Sequence, residues 1–152
     1  MGKVVHGKEE HSKNIPLIIL DHGVSYVATA TVADLEDYAM KLEKAMRVKD
    51  GMAYIHLYSP CPTGWRSPLD SAIEISRLAV ETNFFPLWEA EHGKIRVTKE
   101  IANPKPVSEL IGLMGRFSHL TEGDVENLQQ LVDSKFAHIK GLASLADHDM
   151  QE

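Results

Sequence analysis

The 152-residue chain contains one cysteine, Cys61. A single thiol cannot close an internal disulfide, so the disulfide-stapled secreted scaffolds are excluded. Positive charge is also scarce: 16 Lys and Arg stand against 22 Asp and Glu, a formal net charge of -6. Nucleic acids and anionic membrane surfaces both select a basic stripe, and this balance argues against either as a partner. No apolar run approaches the roughly 20 residues of a membrane-spanning helix. The opening stretch MGKVVHGKEEHSK has no apolar core of the kind that marks a signal peptide. Glycine-rich phosphate loops, GxGxxG or GxxxxGK followed by Ser or Thr, do not occur. Internal repeats and low-complexity segments are likewise missing. These absences together point to a reducing, cytoplasmic setting.

At 43% hydrophobic and 25% charged residues, the composition is that of an ordinary globular domain long enough to build a core. The spacing predicts a short helix over 14–22, with Asn14 as its cap, Pro16 in the first turn and Gly23 just beyond its end. VSYVA (24–28) reads as a buried strand. Leu35, Tyr38, Ala39, Leu42, Ala45 and Met46 recur at helical spacing, with Asp34 and Asp37 at the positive end. Residues 52–58 read as the next strand. Strand, helix, strand over about 35 residues is a βαβ unit, so the two strands are expected to be parallel.

Ser67, Pro68 and Asp70 resemble a capping box for a helix running to about Thr82. Strands are expected over 84–91 and 94–98, joined at His92-Gly93. A linker over 101–106 leads to a helix over 107–118, with Val107, Leu110, Ile111, Met114 and Phe117 on its core face. Thr121 and Asp124 cap a last helix to about Lys140, whose stripe is Val125, Leu128, Val132, Phe136 and Ile139. Residues 1–13 and 141–152 read as tails. The fold class is α/β, with residues 1–100 as one portion and 101–152 as a helical extension.

The segment SPCPTGWRSP (59–68) leaves the C-terminal end of the second strand, the edge at which open α/β sheets bind ligands. Cys61 admits three local readings. A lone cysteine can pack as a small hydrophobe. It can be a nucleophile: CPTGWR puts Gly64 at +3 and Arg66 at +5, the length of a rhodanese-type sulfur-transfer loop, although Pro62 removes one N–H that an anion cradle needs. It can be a metal ligand, but no second cysteine exists and no histidine stands at ligand spacing to it. Of the histidines, His22 sits at a helix C-terminus, His56 alternates into one strand face as a core residue, and His119 and His138 look like surface positions. No Ser/His/Asp triad can be assembled.

The order of motifs is more specific. YVATATVADLEDYAMKLEKAM, then YIHLYSPCPTGWRSP, LAVET, FPLWE and GK, resembles the β subunit of the 2-oxoacid:ferredoxin oxidoreductases, the family of pyruvate synthase. PKPVSELIGLMGRFSHLTEGDVENLQ is similar to that family's C-terminal extension. The resemblance covers roughly residues 15–135. It implies part of a thiamine-diphosphate-binding fold and a role in oxidative decarboxylation of pyruvate to acetyl-coenzyme A, with electrons passing through a [4Fe-4S] cluster to ferredoxin. It also implies partnership with the other subunits of the complex. Carried over to this sequence, the cysteine of PCPTGW makes Cys61 the last ligand of that cluster. Trp65 would cover the cluster or simply pack. The family's GDGD-type motif for magnesium and diphosphate, and its three other cluster cysteines, do not occur in the 152 residues. The chain therefore resembles the C-terminal half of such a subunit and is expected to be inactive alone. Two alternatives remain: a sulfurtransferase using Cys61 with Arg66, and a non-catalytic remnant that binds partner subunits.

Overall fold

In the computed structural model, residues 12–148 are described. The expected N-terminal tail over 1–13 falls almost wholly outside them. Helix α1 (Ile15–Asp21) begins as the sequence predicts, with the Asn14 side chain accepting the Leu17 N–H at 3.3 Å. Strand β1 (Tyr26–Thr31) starts two residues later than expected and runs three further. Its six residues are all buried, which suits its central place in the sheet. Helix α2 (Leu35–Arg47) leads to β2 (Ala53–Tyr58), which pairs parallel to β1 in the register Tyr26 to Ala53. The predicted βαβ unit is present.

After a loop come a single-turn helix α3 (Pro62–Trp65), helix α4 (Ala72–Glu81) and the hairpin β3 (Trp88–Glu91) and β4 (Lys94–Val97). His92 and Gly93 both take positive φ, 48° and 85°, as a two-residue turn of type I′ demands. Both hairpin pairings are antiparallel, β3 lies beside β1, and the strand order is β2-β1-β3-β4.

Three helix boundaries differ from expectation. The Ser67-Pro68 start of α4 is displaced to Ser71, because the Ser67 N–H is already bound to the Pro62 carbonyl at 3.0 Å and closes α3. The helix expected over 107–118 stops after α5 (Val107–Gly112), and a 3-10 turn (Gly115–Phe117) follows. The last helix, α6 (Glu122–His148), continues well past Lys140, so the predicted tail is largely helical up to His148. At its start, Thr121 and Asp124 cap each other: the Asp124 carboxylate accepts the Thr121 N–H at 2.8 Å, and the Thr121 hydroxyl accepts the Asp124 N–H at 3.2 Å.

Helix α6 is 27 residues, about 40 Å, long enough to touch two cores. Near its start Val132 packs with Ile75, Leu110 and Ile111. Further on Ile139 packs with Val27, Trp88 and Ile95 against the sheet. The apolar stripes of α5 and α6 do form core faces. Each large apolar side chain buried there contributes roughly 1.5–3 kcal/mol.

The face of α2 is inverted relative to a simple amphipathic reading. Leu35, Leu42 and Met46 are 68%, 43% and 77% exposed, whereas Lys41 is 1% exposed. The Lys41 ammonium donates to Asp37 Oδ2 at 2.6 Å, the Thr29 carbonyl at 2.9 Å and Thr98 Oγ1 at 2.8 Å. All three of its protons are satisfied, which makes burial of a lysine tolerable. Beside it, buried Glu89 accepts from Tyr26 Oη at 2.8 Å and Lys44 Nζ at 2.7 Å, and also pairs with Arg96. A polar network therefore fixes α2 to the sheet, and the apolar stripe faces outward.

Candidate functional site

Strand β2 delivers the chain to Pro60 at the C-terminal edge of the parallel pair. Pro60 and Pro62 limit the backbone on each side of Cys61. Cys61 is the N-cap of α3, in an extended conformation, with Pro62 in the first turn, where a missing N–H costs nothing. Its sulfur accepts the Gly64 N–H at 3.4 Å. The thiol is exposed, so the reading of Cys61 as a packed small hydrophobe is corrected.

The sulfur-transfer loop also fails to form. A cradle needs successive N–H groups converging on one anion. Here the Trp65 N–H goes to the Cys61 carbonyl at 2.8 Å, and the Arg66 and Ser67 N–H groups go to the Pro62 carbonyl. Among the described residues the Gly64 N–H alone makes a hydrogen bond to the sulfur. Arg66 is exposed and left-handed, with φ 54°.

The loop is held from behind by two contacts; packing was one role the sequence offered for Trp65, but neither its partners nor the Gly115 contact could be read there. The Gly115 N–H donates to the Arg66 carbonyl at 3.2 Å. A Cβ at Gly115 would lie 2.9 Å from that carbonyl oxygen, so only glycine allows the approach. In the sequence Gly115 and Arg116 stood only within a motif and Phe117 on a helix face, with no sign that this turn backs the cysteine loop. The second contact is aromatic. Trp65 packs on Tyr58, with ring centroids 5.6 Å apart, and Tyr58 packs on Phe85 at 4.9 Å. Phe85 in turn stacks on His56 at 6.0 Å, and His56 Nδ1 is hydrogen-bonded with the Tyr54 hydroxyl at 2.8 Å. Tyr54, His56 and Tyr58 share one face of β2 by strand alternation.

Trp65 is thus tied to the core cluster through Tyr58. Burial pushes the Tyr58 phenol well above its ordinary pKa, and its hydroxyl finds no partner among the described residues. The Ser67 hydroxyl is equally unpartnered among them. His22 Nδ1 is bonded to the Ile18 carbonyl at 2.6 Å in its own helix, and His119 is exposed. Among the described residues no group of three His, Cys, Asp or Glu is placed to hold a metal ion.

The site therefore offers one accessible thiol, oriented by a helix cap and backed by glycine and aromatic contacts. That donor chemistry fits a single iron–sulfur ligand, since thiolate is the preferred donor and an N–H to sulfur is a usual second interaction. It does not fit magnesium with thiamine diphosphate, for which the sequence has no suitable acidic motif and the described residues form no phosphate cradle at this loop.

No family model matches the chain. Individual relatives do. The chain is 44% identical over 140 residues to the ketoisovalerate oxidoreductase subunit VorB of Pyrococcus horikoshii, a match covering 91% of this chain and 45% of that one. It is 46% identical over 133 residues to the pyruvate synthase subunit PorB of Methanothermobacter thermautotrophicus, covering 88% and 46%. It is also 46% identical over 134 residues to the β subunit of an NADH-dependent phenylglyoxylate dehydrogenase of Aromatoleum evansii, covering 87% and 30%. These relatives are all oxidoreductase subunits, and the chain spans less than half of their length. Over about nine-tenths of its own length it is a homologue of part of the 2-oxoacid:ferredoxin oxidoreductase β subunits.

Proposed function

We propose that the chain works as part of the β subunit of a 2-oxoacid:ferredoxin oxidoreductase and that Cys61 supplies one thiolate to a [4Fe-4S] cluster. The single observation that carries this reading is an exposed, capped cysteine at the C-terminal edge of β2, in the segment where the relatives align. When bound, such a cluster accepts and passes on single electrons. This chain's own part is to hold the sulfur, through Pro60, Pro62 and the Gly64 N–H, and to support the loop through Gly115 and Tyr58. The other three ligands must come from outside this sequence, because Cys61 is its only cysteine. The same holds for the groups that bind magnesium and thiamine diphosphate.

Pyruvate is the proposed substrate, with acetyl-coenzyme A as product and ferredoxin as electron acceptor. Several relatives carry the name pyruvate synthase. The remaining subunits of the complex are the proposed partners, in the cytoplasm. Among the described residues no helix is long and apolar enough to cross a membrane. The proposal is tested by tagging this chain in its native host, purifying what accompanies it, and assaying coenzyme-A-dependent viologen reduction with pyruvate, ketoisovalerate and phenylglyoxylate in parallel. Activity is expected with the purified assembly, fastest with pyruvate, and not with the isolated chain. An assembly inactive on all three acids would remove the proposal.

A further inference from the structure

A cavity of about 410 Å³ lies between the start of α1, one face of β1 and β2, and the middle of α6. This is within the usual size range of small-molecule sites. Its wall is apolar and aromatic: Phe84, Phe85, Trp88, Leu128 and Leu131 contribute. Its lining carries the neutral polar residues Ser12, Asn14, Thr29 and Asn83 and two charged side chains, both lysines. Lys13, Lys135 and His56 line it, and no Asp or Glu among the described residues does, in a chain with more acidic than basic residues. Lys13 and Lys135 are exposed and stand at the rim, where Lys135 Nζ donates to Ser12 Oγ at 2.6 Å. His56 is half-buried. Its Nδ1 is engaged by Tyr54, so Nε2 is the ring nitrogen left for a ligand. Thr29, the register partner of His56, offers nothing more, because its hydroxyl donates to the Pro86 carbonyl at 2.8 Å and accepts the Trp88 N–H at 3.0 Å.

An apolar chamber with cationic donors at its rim, and with no carboxylate in its lining among the described residues, selects an amphiphilic anion. We propose that this cavity is a binding site for a monocarboxylate with an extended aliphatic or aromatic body. The body lies against Phe84, Phe85 and Leu128, and the carboxylate meets Lys135 and Lys13. The site is separate from the Cys61 loop and involves no covalent step. It shares Phe85 and His56 with the aromatic run behind Trp65 but includes neither Cys61 nor the groups that hold its sulfur, so the two proposals can fail independently.

The test uses the full chain carrying Trp65→Phe, which leaves Trp88 in the cavity wall as the only tryptophan. Octanoate and 4-phenylbutyrate are titrated against its fluorescence, each beside the uncharged alcohol of the same skeleton. A saturable change below about 1 mM is expected for both acids. The alcohols should bind at least about tenfold more weakly, since a charge-assisted contact is lost. Lys135→Glu should weaken the acids by a similar factor without moving the melting temperature, and Leu128→Phe should weaken acids and alcohols alike by filling the chamber. No saturable change with either acid, equal affinity for acid and alcohol, or an unaltered Lys135→Glu variant would each overturn the proposal.

Discussion

The ammonium of Lys41 lies 2.6 Å from the Asp37 carboxylate one helical turn back, and both side chains are buried. The pair anchors α2 to β1 through the Thr29 carbonyl. Removing one partner of a buried ion pair leaves the other uncompensated, at a cost of about 3–5 kcal/mol. Lys41→Met is therefore expected to lower urea-melt stability by about that amount, and the double change Lys41→Met with Asp37→Leu to recover a large part of it. A single variant within about 0.5 kcal/mol of wild type would contradict the assignment.

The acid side of the stability profile should depend on Glu89. Burial by itself would raise its carboxyl, but hydrogen bonds from Lys44, Tyr26 and Arg96 outweigh burial and hold it below its ordinary value. Asp34 is held down chiefly by its bond from Lys99. A carboxyl with a folded pKa below its unfolded one binds fewer protons when folded. Stability from such groups is present above the unfolded pKa and is lost as pH falls below about 4. Glu89→Gln is expected to flatten the melting temperature against pH in that acid range. A limb as steep as wild type would show that other groups control it.

Gly115→Ala tests the support behind the cysteine loop. Its Cβ would meet the Arg66 carbonyl oxygen at 2.9 Å and Arg66 Cβ at 3.2 Å. Overpacking of this kind costs about 1–3 kcal/mol. A denaturant melt should show that loss, whereas Gly112→Ala, which meets nothing within 4 Å, should cost far less. Equal effects at the two glycines would remove the close approach as the cause.

The outward stripe of α2 makes a different prediction. Leu42→Lys should change the isolated chain's stability by no more than about 0.5 kcal/mol, because the side chain already meets solvent. If partner subunits cover this stripe, the same change should reduce co-purification with them. Full recovery of the assembly would place their contacts elsewhere.

Local chemistry made much of the fold legible. The β1 and β2 runs, the His92-Gly93 turn and the Thr121/Asp124 cap each depend on residues adjacent in sequence. The orientation of α2 was not legible, because an Asp37/Lys41 pair at i, i+4 looks the same on a solvated face as in an interior. What buries it is Thr98, 57 residues away. The end of α5 was equally obscure, since Met114 and Phe117 continue its apolar spacing while the Gly115 contact to Arg66 breaks the helix. The cysteine loop could be placed at the edge of β2 from its prolines. Its single-turn helix and the exposure of the sulfur required the fold.

The most direct test of the account is iron content and low-temperature EPR of the purified assembly carrying Cys61→Ser, beside wild type. If Cys61 is a cluster ligand, the variant should lose iron equivalent to one cluster, with its reduced-cluster signal and nearly all pyruvate-dependent viologen reduction, while the subunits still co-purify. Unchanged iron, spectrum and rate would contradict the account.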